Sequence, residues 1–211
     1  AVLTWSLYLH RQIPLYHQQQ AEKLWLQHEC CTMRERTVAV LGLGELGRQS
    51  AELLTRSGFN VVGWSRTLKR VDNVDCYAGE AGFSEVLRLS DIVVILLPLT
   101  RATKYLFAQA AFSKMKNESA LINFARGQLV NRNDLIAALD SGHLSHAVLD
   151  VFEQEPLSTS SELWHHPKIT ITPHVSAPTN KKTACEIVSQ NIARFFETGE
   201  LPETVNISLG Y

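Results

Sequence analysis

The sequence is short of cysteine, proline and methionine: 4, 7 and 2 among 211 residues. The cysteines are Cys30, Cys31, Cys76 and Cys185, with no C-x-x-C pair and no Cys/His spacing suited to a metal. That argues against a zinc module or a disulfide scaffold and fits reduced thiols in a cytoplasmic protein. No excess of either charge exists: 20 Lys+Arg stand against 21 Asp+Glu. A nucleic-acid partner held by a basic surface is therefore not expected. The longest apolar run, Ile92 to Leu99, falls far below the ~18 residues that span a bilayer, so no membrane partner is expected either. An initiator methionine, a basic leader and a small-residue cleavage site are also missing. The chain opens at Ala1 directly in the apolar segment A-V-L-T-W-S-L-Y-L, which reads as the middle of a longer arrangement.

What is present is enough apolar residue to build a core: 45% hydrophobic against 19% charged. Residues 1 to about 27 read as a helix, with Val2, Trp5, Leu9 and Ile13 at steps of three or four and Pro14 as a break or kink. From Thr37 the pattern alternates. T-V-A-V-L-G reads as a buried strand, and Glu45 to Ser57 as a helix with Leu46, Leu53 and Leu54 on one face and Gly58 as its stop. Strands are expected at Asn60–Trp64, Asp91–Leu97, Ala120–Phe124, His146–Val151 and Ile169–Thr172. Helices are expected at Phe83–Leu89, about Ala102 to Met115, and from an Asn131 or Asn133 cap through Leu139 to Gly142. The last helix carries Ala184, Ile187, Val188, Ile192, Phe195 and Phe196 at helical spacing and closes at Gly199. Strands and helices in this alternation predict an α/β fold: a Rossmann-like, doubly wound parallel sheet.

The first strand runs into G-L-G-E-L-G, giving Gly42, Gly44 and Gly47 with Glu45 and Leu46 between them. In such a loop the first glycine permits a tight turn, the second lets backbone approach a pyrophosphate, and the third lets helix and strand pack closely. The helix that follows offers N–H groups and a partial positive charge to the anion. The second strand ends V-V-G-W-S-R-T. An acidic residue there would hold a free ribose 2′-hydroxyl, but Ser65, Arg66 and Thr67 occupy the place, with Lys69 and Arg70 nearby. A guanidinium pairs with a 2′-phosphate where a carboxylate would repel it, so NADP(H) is predicted over NAD(H).

Three further segments place ionisable groups just after predicted strands: N-F-A-R-G with Arg126; D-V-F-E-Q-E-P with Asp150, Glu153 and Glu155; and T-P-H-V-S-A with His174. In a parallel sheet these C-terminal ends line the crevice where ligands bind. His165 and His166 are sequence neighbours and read as loop residues rather than metal ligands, and Glu153 reads as solvated. No metal site is expected.

The ordered set G-L-G-E-L-G, N-F-A-R-G-Q-L-V, D-V-F-E-Q-E-P-L and T-P-H-V-S-A resembles the D-isomer-specific 2-hydroxyacid dehydrogenase family. W-S-R-T, L-L-P-L-T and the final G-Y most resemble its glyoxylate/hydroxypyruvate reductase A branch. The resemblance implies a reductase that converts a small 2-keto acid to the 2-hydroxy acid with hydride from NADPH. Arg126 would hold the substrate carboxylate and polarise the keto oxygen. His174 would protonate that oxygen, and Glu155 would orient the imidazole and favour its acid form. Asp150 would contact the nicotinamide carboxamide. Leu97, Pro98, Leu99, Thr103 and Ala125 would line the cofactor, with Ser176 and Ala177 beside the ring. Trp164 is a candidate substrate filter.

The resemblance also implies a preceding substrate lobe of ~100 residues. Residues 1–33 would then form an interdomain and dimer-arm segment, 34–178 the dinucleotide-binding domain, and 179–211 a helix and tail returning to that lobe. A homodimer with Leu24, Trp25 and Leu26 reaching across is implied. Without that lobe, residues 1–211 are expected to bind NADPH and turn over poorly by themselves. A short-chain dehydrogenase would need Y-x-x-x-K, but Tyr8, Tyr16, Tyr77 and Tyr105 are followed four residues later by Gln12, Gln20, Ala81 and Gln109. A methyltransferase would want an acid in place of Ser65. A cofactor-sensing regulatory protein of the same fold stays open as an alternative.

Overall fold

A computed structural model describes residues 1–202; the resemblance at the final Gly210 and Tyr211 and the tail from 203 lie outside the described residues. Seven parallel strands form one sheet: β1 (Thr37–Leu41), β2 (Asn60–Ser65), β3 (Asp75–Ala78), β4 (Ile92–Ile95), β5 (Ser119–Asn123), β6 (Leu144–Leu149) and β7 (Ile169–Ile171), in the spatial order β3-β2-β1-β4-β5-β6-β7. The order reverses direction between β1 and β4, the switch point where open α/β sheets bind their ligands. The central strands β1, β4 and β5 are almost wholly buried, and β1 and β4 are rich in β-branched residues, as sheets covered on both sides require.

Alternate residues of each strand feed two cores. Val38, Val40, Ile92, Val94, Ile122 and Val148 pack on one face with Ala51 and Leu54 of α3 (Glu45–Arg56) and residues of α1 (Val2–His10). Leu41, Val93, Ile95, Leu121, Ala147 and Leu149 pack on the other with α4 (Gly79–Leu89) and α6 (Arg132–Asp140). The Rossmann-like, doubly wound α/β class expected from the alternation is what the chain adopts.

Several local expectations are corrected. The first 27 residues form two helices, α1 and α2 (Ile13–Ala21), because Gln12 turns left-handed at φ 54° and Pro14 sits in the first turn of α2, where its missing N–H costs nothing. On α3 the inward face is Gly47, Ala51 and Leu54, while Leu46 and Leu53 point outward. The long helix expected at 102–115 is instead a turn followed by the single-turn α5 (Gln109–Phe112). The turn is stitched to the chain after β5: the Tyr105 N–H donates to the Gln128 carbonyl and the Phe107 N–H to that of Leu129. Phe107, fully buried, is drawn into an isolated parallel bridge with Val130. The short strand β3 has no counterpart in the sequence reading: D-C-Y-A carries little strand signal, and pairing with β2 creates it.

The final helix, α7 (Lys181–Thr198), carries the expected apolar positions and stops at Gly199, as expected, at φ 69°; it begins at an Asn180 side-chain cap. Its apolar residues Ile187, Val188, Ile192, Phe195 and Phe196 are exposed.

Candidate active site

The glycine turn is built as the spacing requires. Gly42 has φ +104°, a left-handed backbone, and a Cβ there would lie 2.6 Å from the Leu96 carbonyl oxygen where the chain leaves β4. A Cβ on Gly47 would lie 1.7 Å from the Gly42 carbonyl oxygen, so the helix is pressed onto the turn that precedes it. Gly44 differs: a Cβ there would meet nothing within 4 Å. It is the N-cap of α3, and no side chain caps that end. Open space in front of Gly44 and an uncapped helix N-terminus fit a pyrophosphate. Glu45 and Leu46, in the first turn of α3, both face outward.

At the end of β2 the Ser65 hydroxyl donates to the Thr67 carbonyl at 2.7 Å and closes the turn on which Arg66 stands exposed. The turn after β4 is held by Thr103, whose hydroxyl donates to the Pro98 carbonyl at 2.7 Å and accepts the Thr100 N–H at 2.8 Å. Leu97 is buried beneath it, and Pro98 and Leu99 are half-buried. These residues stand at the C-terminal ends of β2, β1 and β4, along one rim of the sheet.

The ionisable set lies further along the same rim, after β5, β6 and β7. After β5, Asn123 is almost fully buried and shapes the turn: its Oδ1 accepts the Ala125 N–H at 3.2 Å and its Nδ2 donates to the Arg126 carbonyl at 3.0 Å. Ala125 is buried, and the exposed Arg126 guanidinium donates to the Ala125 carbonyl at 2.6 Å. Gly127 follows of necessity, since a Cβ there would lie 2.0 Å from the Phe152 carbonyl carbon. That close approach brings the Arg126 turn against the loop carrying Glu155.

Glu155 Oε2 lies 2.7 Å from His174 Nδ1, and its Oε1 accepts the Phe152 N–H at 2.9 Å. Partial desolvation opposes ionisation of Glu155. The hydrogen bonds from His174 and the Phe152 backbone, with the charges of His174 and Arg126, outweigh it and hold the carboxyl below its ordinary range. His174 itself is left-handed, at φ 55°, a strained conformation for a non-glycine residue that surroundings must impose.

Asp150 imposes it. The resemblance places this residue on the nicotinamide carboxamide; the structure buries it completely and occupies both carboxylate oxygens. Oδ1 accepts the Thr172 hydroxyl at 2.5 Å and the Val175 N–H at 2.9 Å, Oδ2 accepts the Ser176 N–H at 2.9 Å, and the Asp150 carbonyl accepts the His174 N–H at 2.9 Å. Burial would raise its pKa, but these hydrogen bonds outweigh burial and lower it. Asp150 is thus a latch for the segment that presents His174, with Ser176 half-buried and Ala177 exposed beyond it.

Glu153 is exposed, as expected, and accepts a hydrogen bond from the Tyr105 hydroxyl at 2.7 Å. His165 and His166 stand apart from this set: His165 ends a 3-10 turn (Glu162–His165) and His166 Nε2 lies 3.2 Å from Asp140. Trp164, in the same turn, donates its indole N–H to the Ser158 carbonyl at 2.9 Å. Among the described residues no group of three or more His, Cys, Asp or Glu could hold a metal, and no helix is long and apolar enough to cross a membrane. Asn123 and Thr172 are not singled out by the sequence reading; for Asn123 the available signal is a short polar side chain at a strand end that bonds backbone two residues on, whereas the Thr172 bond to Asp150 is long-range and has no local signal.

A doubly wound sheet with a glycine turn at its switch point and an Arg, Glu and His along the same rim defines a dinucleotide-fold domain of dehydrogenase type. Residues 3–176 match the family described as D-isomer specific 2-hydroxyacid dehydrogenase, NAD binding domain. The chain belongs to that family. It is 42% identical over 202 residues to a glyoxylate/hydroxypyruvate reductase A of Photorhabdus laumondii, and 37% identical over 202 residues to one of Yersinia enterocolitica, in each case covering 95% of this chain. The chain spans 64% of the length of either relative. Among solved structures, a D-isomer specific 2-hydroxyacid dehydrogenase of Xanthobacter autotrophicus, in complex with NADPH and MES, superposes with a TM-score of 0.95 at 40% identity, over 100% of this chain and 87% of that one. An NADPH-dependent glyoxylate/hydroxypyruvate reductase of Sinorhizobium meliloti, in complex with NADP and sulfate, superposes with a TM-score of 0.94 at 36% identity, over 100% and 68%.

Proposed function

We propose that this chain binds NADP(H) and supplies the proton donor and the carboxylate anchor for reduction of a small 2-keto acid, of the glyoxylate or hydroxypyruvate kind, to the 2-hydroxy acid. The observation that carries the reading is the 2.7 Å His174–Glu155 pair, on the same rim as the glycine turn and beside Arg126.

The chain's own residues divide the work. The N–H groups at the start of α3 and the space before Gly44 hold the pyrophosphate, and Arg66 takes the 2′-phosphate. Pro98, Leu99, Ser176 and Ala177 border the nicotinamide, while Thr103 fixes the turn that carries Pro98. When bound, the reduced nicotinamide supplies hydride to the keto carbon. Negative charge then develops on the keto oxygen, where a guanidinium and a proton donor should converge. Arg126 pairs with the substrate carboxylate and polarises that oxygen. His174 Nδ1 is committed to Glu155, which leaves Nε2 to give the proton. Asp150 holds His174 in the left-handed conformation that aims the ring.

A homodimer completes the reading. Leu24, Trp25 and Leu26 form an apolar segment, Trp25 being 94% exposed, which favours a second copy as its cover. Light scattering that gave a monomer at micromolar concentration would remove this part alone.

Binding and turnover are tested separately. NADPH binding by this chain, followed by quenching of tryptophan fluorescence, tests the cofactor half. Oxidation of NADPH at 340 nm with glyoxylate, hydroxypyruvate and pyruvate tests the chemistry. Binding with no turnover of any 2-keto acid, in this chain and in a relative-length protein carrying it, would favour the regulatory alternative.

A further inference from the structure

One side chain that the proposed chemistry does not use is placed at a conformational cost. Tyr105 is left-handed, at φ 52°, where a side chain costs on the order of 1 kcal/mol or more and persists only when its surroundings hold it. Three contacts do so. Its N–H donates to the Gln128 carbonyl at 2.8 Å, its hydroxyl donates to Glu153 Oε1 at 2.7 Å, and the Lys104 ammonium stands 5.2 Å from its ring centroid.

These contacts join three segments of the site. Tyr105 directly follows the turn in which Thr103 binds the Pro98 carbonyl, on the cofactor side. Gln128 directly follows the Arg126–Gly127 corner. Glu153 belongs to the loop in which Phe152 donates its N–H to Glu155. Glu155 is itself partly exposed, and two hydrogen bonds hold its carboxylate. A shift of the 152–155 backbone would therefore carry Glu155 away from His174.

We propose that Tyr105, acting through Glu153, is a positioning residue that ties the cofactor-side turn to the loop of Glu155 and so keeps Glu155 on His174. The inference rests on the proposed reductase reading for its consequence in turnover, but the geometry it asserts can be read without turnover. The hydrogen bond to Glu153 also keeps the Tyr105 hydroxyl protonated to higher pH than a free phenol, so the donor persists across the working range.

The test uses three variants of the whole chain, Tyr105→Phe, Glu153→Ala and Tyr105→Gly, with two readouts. The first is the tautomer of neutral His174, read from long-range 1H–15N NMR of the imidazole. Glu155 selects the Nδ1–H form, whereas a free imidazole favours Nε2–H. All three variants are expected to move His174 toward Nε2–H. Tyr105→Gly relieves the left-handed strain, so it should be at least as stable to heat as Tyr105→Phe while still losing the tautomer, which separates positioning from folding. The second readout is turnover: kcat should fall about tenfold with KM for NADPH unchanged, the scale for a slightly misplaced catalytic group. A native Nδ1–H signal in Tyr105→Phe and Tyr105→Gly would overturn the inference. A shifted tautomer in a protein that reduces no 2-keto acid would overturn the reductase reading and leave the latch standing.

Discussion

The carbonyl oxygen of Asp150 accepts the backbone N–H of His174 at 2.9 Å, while the Asp150 carboxylate takes the next two backbone N–H groups, those of Val175 and Ser176. One buried residue therefore sets the direction of the imidazole without touching it. Asp150→Asn would place an amide N–H₂ against one of those donors. Leaving a buried N–H unpaired costs about 1–3 kcal/mol. The expected outcome is that loss by urea unfolding at pH 7, together with loss of the His174 Nδ1–H tautomer. The sign of its pH dependence follows from the lowered pKa: the stability Asp150 contributes is present above the unfolded carboxyl range and is lost as pH falls through its folded value. The wild type should therefore lose more stability on acidification than Asp150→Asn, and parallel curves would refute the latch.

The three rim residues should separate by kinetics. Arg126→Ala and His174→Ala are each expected to lower kcat/KM by ~100-fold or more, the usual scale for a positioned charge or acid. Glu155→Gln keeps the volume and removes the charge whose ionisation the neighbouring cations favour. It should lower kcat more than it raises KM, because Glu155 is paired with His174 and is proposed to act through it. Equal effects on kcat and KM would place Glu155 in substrate binding instead.

The proposed preference for NADP(H) rests on the end of β2. Ser65 spends its hydroxyl on the Thr67 carbonyl and so offers little to a ribose, whereas the exposed Arg66 carries the planar guanidinium whose geometry matches a phosphate. Wild-type affinity should favour NADPH over NADH, and Arg66→Glu should reverse the ratio chiefly by weakening NADPH. A preference for NADH in the unaltered chain would overturn the assignment.

The parts of this molecule that were legible in the sequence share one property: their cause is local. A β-branched run followed by G-L-G-E-L-G announces strand, turn and helix, and polar residues just past strand ends mark the rim. What was missed has a distant cause. Leu46 and Leu54 are both apolar at helical spacing, but only contact with β1 decides that Leu54 faces the core and Leu46 does not. Leu106, Phe107, Ala111, Phe112 and Met115 suggest a helix until the bridge to Val130 and the left-handed Tyr105 divide them. Asp150 reads as a site residue because it follows a strand; its latching role depends on a segment more than twenty residues away.

Away from the rim, His146 of β6 should govern acid stability. It is 6% exposed, and burial, with the neighbouring His166 charge, pushes its pKa down to about 4. Its Nε2 lies 2.8 Å from the Thr170 hydroxyl, with the Tyr8 hydroxyl 3.3 Å from the same oxygen. The unfolded chain binds this proton near pH 6.5 and the folded chain only near 4, so stability falls as pH drops between those values, by about 3 kcal/mol in all. His146→Gln retains a partner for Thr170 and should flatten that part of the urea-midpoint profile. An unchanged slope would show that another group carries it.

Gly44 and Gly47 make opposite predictions, which separate fold from function within one turn. A Cβ at Gly47 would collide with the Gly42 carbonyl oxygen 1.7 Å away. Backbone cannot yield there as a side chain would, so Gly47→Ala must push α3 off β1, at a cost of about 1–3 kcal/mol, and lower the melting temperature before any ligand is added. A Cβ at Gly44 meets nothing within 4 Å, and its φ of −75° suits alanine. Gly44→Ala should leave stability within ~0.5 kcal/mol of wild type. Its methyl would nevertheless stand in the space assigned to the pyrophosphate, so NADPH binding should weaken by about tenfold or more. Unimpaired NADPH binding by a stable Gly44→Ala protein would mean that the phosphates lie elsewhere, and the glycine turn would then be a feature of packing alone.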